Sequence, residues 1–392
     1  MSKRRRILLY SDAETFAGGE RYMLELARGL SGDSFDVRCV TATAPGADPF
    51  THALTESGLP VKRLPRVVTL DQARKLFTVF KHFLRRRYDL IHFNLVDPRA
   101  CNAAMTAAAC ALQGRIIVTE HLPESPFDDK PLPFRHKVAA RATRITIVNS
   151  SDHRRVVENR PWNRSRVIVI PNGLPDPGGP RQELREAARE AMGAGTWDGP
   201  VVGLVGRLQP QKNPLLFLEG AARVLKTRRD VLFVVIGDGD LGTEVERAVT
   251  EMGIGDNVRL LGWRDDAQNL MYGLDLLVNT SRYEGQPLTL LEAMLRAVPV
   301  CVQRISGMED FVADRASGRV VPPEDGDALG AALVEMLASR EDLRAFGQVA
   351  RERTLTLFSI RGMCRKTADA YLELLDGTEA AEPVALEVGT AR

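Results

Sequence analysis

Short apolar runs recur along the whole chain, and most are followed by a longer stretch whose apolar positions lie three and four apart. Runs too short for helices and apolar on both alternations read as strands buried on two faces, and the longer stretches read as the helices that cover them. In the first half the strands fall at 7–10, 37–41, 61–64, 90–93, 116–119, 144–148 and 167–170. In the second half they fall at 201–205, 231–236, 258–261, 274–278, 299–302 and 319–321. Such alternation predicts βαβ units and two parallel sheets, an α/β fold.

At 392 residues the chain exceeds what one hydrophobic core supports, so two domains are expected, at 1–176 and 177–359. The Pro- and Gly-rich stretch 171–200 reads as the hinge between them. An amphipathic helix at 360–375 is expected to pack back on the first domain, and the small, polar stretch 376–392 is expected to be disordered.

Composition narrows the class without naming a chemistry. Five cysteines with no C-x-x-C pair argue against a disulfide framework or structural zinc and fit a reducing cytoplasm. No apolar run reaches the ~18 residues needed to span a bilayer, and the basic start followed by Ile7 to Tyr10 is too short for a signal peptide. The net charge of +2 hides an asymmetry: residues 1–176 carry 28 Lys/Arg against 18 Asp/Glu, leaving 25 against 33. The basic clusters at 81–87 and 135–144 read as solvated helix faces, with contact to anionic lipid head groups as the alternative. Nucleic acid is not expected as a partner, because no binding motif or basic-aromatic interleaving is present.

In doubly wound sheets ligands bind beyond the carboxyl ends of strands, so the chemistry belongs in the loops that follow them. After the strand at 274–278 comes a turn to Gly285, then Pro287, read as the first helical residue of a helix over 288–296. The segment Gln286, Pro287, Leu288 and Thr289 carries the unpaired first-turn N–H groups of that helix, an anion site that a diphosphate fits. Glu284 would stand beside whatever the diphosphate carries, and Glu292, a turn further in, within reach of a ribose. Arg207 and Lys212, after the strand at 201–205, offer two cations that could converge on the same diphosphate. Gly18-Gly19 lets backbone approach a ligand after the first strand, and His121 ends the strand at 116–119. Each signal taken singly is also met in ordinary turns and helix bodies.

Together they resemble one family. Glu284-x7-Glu292 is similar to the Glu-x7-Glu motif of family 4 glycosyltransferases (glycosyl transferases group 1), and Gly206-Arg207 with Lys212 resembles their Gly-Arg-x5-Lys pattern when the lysine is counted from Gly206. Gly18-Gly19-Glu20-Arg21 is similar to their Gly-Gly-x-Glu loop. The resemblance implies the GT-B fold, two facing Rossmann-like domains with a cleft between them. It implies a retaining, metal-independent hexosyltransferase without cofactors, moving sugar from a UDP- or GDP-sugar to a hydroxyl on a cell-surface glycan, a lipid-linked precursor or a small metabolite. By the same resemblance Gly19 approaches the donor diphosphate and His121 donates a hydrogen bond to the sugar or to developing charge. Arg207 and Lys212 stabilise the leaving diphosphate, Glu284 grips the sugar and Glu292 the ribose, and Trp263, Arg264 and Asp266 lie along the base. Two departures stand out: Gln286-Pro287 replaces an aromatic-glycine pair, and Ser306-Gly307 replaces a later Gly-Gly. A nucleotide-sugar epimerase or a sugar phosphorylase would share the architecture, and a non-enzymatic nucleotide-sugar-binding protein would share the donor site. The implied location is cytoplasmic, with or without peripheral membrane contact.

Overall fold

The structure, a computed structural model, describes residues 4–32, 34–68, 72–111, 114–123, 134–305 and 307–377. Residues 378–392 of the expected disordered tail, Ser306 and the stretch 124–133 lie outside those residues, as do the side chains at the start of the 135–144 cluster.

The strands are β1 (Arg5–Tyr10), β2 (Phe35–Ala42), β3 (Val61–Leu64), β4 (Leu90–Leu95), β5 (Ile116–Glu120), β6 (Thr143–Val148), β7 (Arg166–Val169), β8 (Val201–Val205), β9 (Leu232–Ile236), β10 (Val258–Leu260), β11 (Leu276–Asn279), β12 (Val300–Gln303) and β13 (Gly318–Val321). The helices are α1 (Gly18–Leu30), α2 (Asp48–Glu56), α3 (Ala73–Arg85), α4 (Asn102–Cys110), α5 (Phe134–Ala142), α6 (Ser151–Glu158), α7 (Gln182–Ala191), α8 (Pro214–Leu225), α9 (Gly242–Glu251), α10 (Ala267–Leu270), α11 (Leu288–Leu295), α12 (Met308–Phe311), α13 (Gly326–Leu337), α14 (Arg340–Leu357) and α15 (Ile360–Asp376).

The chain divides into two compact units. Unit 1 comprises residues up to Gly173 together with those from Ile360 onward, and unit 2 runs from Leu174 to Ser359. Each is built on one parallel sheet, with strand orders β3-β2-β1-β4-β5-β6-β7 and β10-β9-β8-β11-β12-β13. Strands such as β9 (LFVVI) are buried at every position, as a sheet covered by helices on both faces requires. In both sheets the strand order reverses once, between β1 and β4 in unit 1 and between β8 and β11 in unit 2. Those reversals open the crevices in which α/β proteins bind ligands.

In unit 1, α15 supplies Met363, Cys364, Ala370, Tyr371 and Leu375 to the core that α1 and β1 share. Tyr371 lies edge-on to Phe35, ring centroids 5.9 Å apart, and its hydroxyl meets His92 Nδ1 at 2.5 Å. In unit 2 most of the stretch read as a hinge is fastened structure rather than linker. Met192 and Ala194 are in the core, and the Asp176 carboxylate takes both Arg351 Nη atoms at 2.8 Å. Its proline and glycine content marks turns within unit 2. The two ends of unit 2 lie side by side, Leu174 N–H donating to Phe358 O at 3.3 Å.

Two predicted boundaries shift for local reasons. β11 begins at Leu276 rather than 274, because Asp275 is committed as an anchor. Its carboxylate accepts from Val201 N–H at 2.8 Å and from Arg185 and Arg189 at 2.7 and 2.6 Å. Pro287 is the N-cap of α11 rather than its first helical residue, with ψ at 119° and its carbonyl accepting from Leu290 N–H at 3.1 Å.

Candidate functional site

Unit 2 gathers polar groups at the carboxyl ends of β8 and β11. The turn after β8 is possible only for glycine: Gly206 has φ 155°, and a Cβ on Gly237, whose φ is 142°, would meet Gly206 O at 1.9 Å. This close approach sets the path of Arg207 to Lys212. Asn213 then caps α8 in the left-handed region, with Pro214 in its first turn.

After β11 the chain folds onto that loop. Arg282 N–H donates to Gln211 O at 2.8 Å, Gln211 Nε2 to Tyr283 O at 3.1 Å, and Thr280 Oγ1 to Lys212 O at 2.9 Å. From β12, the Gln303 amide donates to Thr280 O and to Ser281 O, and its oxygen accepts from Glu324 N–H. The result fixes Glu284, a buried carboxylate. Its Oε1 accepts from Lys212 Nζ and from Ser281 Oγ, the latter at 2.7 Å. No described residue donates to Oε2. Lys212 is therefore not a free cation beside Arg207, as the sequence pattern suggested, but the partner of Glu284. Arg207 is exposed, and its guanidinium has no partner among the described residues.

Beyond Glu284 the buried run Gly285, Gln286 and Pro287 leads into α11. The N–H groups of Leu288 and Thr289 have no acceptor among the described residues, so the helix end presents two donors and the positive end of its dipole. Glu292 sits in the helix body, 4% exposed, its carboxylate accepting from Gln268 Nε2 of α10. Arg264 and Asp266 form a two-pronged pair at 2.7 Å on each prong, next to Trp263, which is 66% exposed.

Unit 1 has its own cluster, at the ends of β1, β4 and β5. Gly19, at the start of α1, lies against His121: a Cβ there would come within 3.2 Å of His121 Cδ2. Asn94, the penultimate residue of β4, bridges the two, Nδ2 donating to Gly19 O at 3.1 Å and Oδ1 lying 2.7 Å from His121 Nε2. Tyr22 stacks edge-on against the imidazole at 4.7 Å, and Asn149 Nδ2 donates to His121 O at 3.1 Å. Nearby, the buried Asp12 accepts from the Cys101 N–H at 3.1 Å and Sγ at 3.2 Å, which holds Cys101 at φ 55°. Burial raises the pKa of Asp12 and of Glu20, whose carboxylate takes Ser11 Oγ and the Ala17 N–H.

These partners decide the chemistry of His121. A carbonyl only accepts, so Gly19 O fixes the amide side of Asn94, and Asn94 Oδ1 must then receive the proton of His121 Nε2. Burial, with the neighbouring His153, lowers the His121 pKa to about 3, so the ring is neutral and Nδ1 carries a bare lone pair. His121 can accept a hydrogen bond from a ligand hydroxyl; it is not the donor that the sequence reading expected. In 15N-histidine spectra, His121 is expected to show the neutral Nε2–H tautomer until the pH nears 3. Asn94→Leu should scramble that pattern, and an imidazolium signature near neutral pH in the wild type would refute the assignment.

Glu284, Glu292, Lys212, Arg207 and the Pro287 helix end thus belong to unit 2, Gly19 and His121 to unit 1. Ser281, Gln303 and Asn94 escaped the sequence reading as individual residues, since polar residues after strands look like ordinary turn formers.

Known proteins resemble this chain in sequence and in fold. Residues 16–176 match the family described as Glycosyltransferase Family 4, and residues 199–339 match Glycosyl transferases group 1. The chain is 26% identical over 382 residues to the UDP-Gal:alpha-D-GlcNAc-diphosphoundecaprenol alpha-1,3-galactosyltransferase of Escherichia coli, covering 92% of this chain and 94% of that one. Other curated relatives match over shorter spans, from 40% to 59% of this chain and from 35% to 57% of their own length. Among solved structures, Anabaena Alr3699/HepE in complex with UDP and glucose superposes with a TM-score of 0.77 at 20% identity, over 94% of this chain and 99% of that one. A point mutant of S. aureus TarM, in complex with Fondaparinux, alpha-GlcNAc-glycerol and UDP, gives 0.77 at 14% identity, over 94% and 100%.

Proposed function

The chain belongs to the GT-B glycosyltransferases of group 1, family 4, which transfer sugar from nucleotide-sugar donors, and from that premise we propose a UDP-sugar donor and a glycan acceptor carried on a lipid diphosphate. The observation that carries the donor half is the Glu284 site: a buried carboxylate with one oxygen neutralised by Lys212 and the other open, beside a helix end with two unpaired donors. UDP in the Anabaena neighbour and UDP-Gal in the Escherichia coli relative's name support the base, and that relative's diphosphoundecaprenol acceptor supports the lipid carrier.

In this reading the diphosphate rests on the Leu288 and Thr289 N–H groups with Arg207 as a mobile counter-charge, and Glu284 Oε2 accepts from sugar hydroxyls. Glu292 meets the ribose, while Trp263, Arg264 and Asp266 border the base. A carboxylate already engaged by Lys212 and Ser281 is a poor nucleophile. We therefore assign retention to same-face substitution through an oxocarbenium-like state, the leaving diphosphate oxygen taking the acceptor proton and the bound N–H groups stabilising the charge it develops. His121 Nδ1 accepts from a hydroxyl of the ligand that unit 1 contacts. Charge on the departing diphosphate is met by these protein groups, so transfer is expected to need no divalent metal.

Calorimetric titration with UDP, GDP and ADP in the presence of EDTA tests this. The UDP series should bind selectively without metal. Selective GDP or ADP binding would replace the donor assignment, and absence of binding by any of them would remove the site. Turnover with a UDP-sugar should survive EDTA and give a product whose anomeric proton coupling matches that of the donor.

A further inference from the structure

Helix α3 of unit 1 carries more apolar side chain than its own core uses. Its inner face is occupied: Val79 and Phe83 are fully buried, and Leu76 and Phe80 pack against the same cluster. Phe77 and Leu84 point elsewhere and are 62% and 54% exposed. At ~100° per residue they fall within ~20° of each other, one stripe on the outer surface of the helix. Val68, in the connection before α3, is 49% exposed, so three of the ten large hydrophobics exposed in the described residues lie between positions 68 and 84.

The flanks of this stripe are cationic. Arg74, Lys75, Lys81, Arg85, Arg86 and Arg87 are all exposed, and no acidic residue occurs from Gln72 to Tyr88. On the same helical projection Arg74, Lys81 and Arg85 stand ~40–80° to one side of Phe77, close enough for their head groups to share one plane with the aromatic ring. Exposed apolar groups in water are costly to leave uncovered, and clustered cations select what covers them. An isologous contact with a second copy would set these cations against one another. An anionic lipid surface satisfies both features: acyl chains take Phe77 and Leu84, and head-group phosphates take the lysine and arginines. No described helix is long and apolar enough to cross a membrane, so this contact would lie in the interface plane.

We propose that α3 docks unit 1 on an anionic membrane surface, with Phe77 and Leu84 inserted among the lipids and Arg74, Lys81 and Arg85 on the head groups. The proposal does not depend on donor or acceptor identity. Co-sedimentation of the full chain with vesicles of phosphatidylcholine alone, or with about one-third phosphatidylglycerol, tests it at low and high salt. Binding is expected only to the anionic vesicles, and to weaken with salt. Phe77→Ser with Leu84→Ser, and separately Lys81→Glu with Arg85→Glu, should each reduce binding by about tenfold or more. Because all four side chains are exposed, melting curves of both variants should match the wild type, which separates lost docking from lost fold. Equal binding of wild type and variants, binding to neutral vesicles alone, or no binding to either vesicle would overturn the proposal. So would concentration-dependent self-association, seen by sedimentation equilibrium, that the serine variant abolishes.

Discussion

Glu284→Gln is expected to lower kcat/KM by about a hundredfold to a thousandfold, ~3–4 kcal/mol of transition-state stabilisation, while UDP affinity stays the same or rises. Glutamine keeps an oxygen for Ser281 Oγ and nearly the same volume, so the fold of the loop is undisturbed. It removes the charge that occupies Lys212. Two consequences separate. The sugar hydroxyls lose a charged acceptor, which lowers turnover, and the Lys212 ammonium becomes available to the diphosphate, which favours the nucleotide. Lys212→Met gives the reverse: it leaves the buried Glu284 carboxylate with Ser281 alone, a poorly compensated charge, and should cost stability as well as nucleotide affinity. Steady-state kinetics with UDP calorimetry on both variants distinguishes this from a structural Glu284. A structural residue would move melting temperature and UDP affinity together. A Glu284→Gln enzyme with normal turnover would eliminate the assigned role.

What could be read from the sequence follows from how much of each feature is local. Strands buried on two faces announce themselves as apolar runs, and two parallel sheets made of them, β1 to β7 and β8 to β13, were legible. Boundaries were less so, because Asp275 and Pro287 act through partners elsewhere: Val201 N–H and two arginines for the one, Leu290 N–H for the other. The proline- and glycine-rich stretch from 174 onward looked like a hinge because composition reports turns but not what they pack on. At the site, Glu284 and Lys212 were each visible as residue types. Their pairing was not, since they are 72 positions apart and only the neighbouring ends of β8 and β11 bring them together. The same holds for His121. Its place after a strand was readable, whereas its tautomer is set by Asn94, 27 residues earlier, and by a glycine carbonyl.

The residue just before His121 shows how far the fold and the site share supports. Glu120 is 3% exposed at the end of β5, yet Arg160 grips both its oxygens, at 2.8 and 2.6 Å, and His153 Nε2 stands 3.0 Å from Oε1. Burial alone would raise its pKa, but the hydrogen bonds and charge of Arg160 and His153 outweigh that and bring it down to about 2, from 4.5. A folded-state pKa below the unfolded one means stability that is present above about pH 4.5 and lost as the pH falls toward 2. The shift corresponds to about 3 kcal/mol. Arg160→Met should therefore destabilise unit 1 by about 3–5 kcal/mol near neutral pH, because it strands a buried carboxylate with the histidine as its remaining side-chain partner. That deficit should shrink as the pH falls from 4.5 toward 2, since protonating Glu120 relieves a penalty in the variant but breaks the Arg160 fork in the wild type. Melting curves from pH 2 to 7, with hydrogen exchange to separate the two units, give the measurement. Protection should fall in β5 and α6 and leave β8 to β13 unchanged. Because Glu120 anchors the strand end from which His121 projects, turnover should fall even at temperatures where the variant stays folded. Unaltered exchange in β5, with wild-type stability near neutral pH, would show that the Arg160 fork does not fasten this end of the sheet.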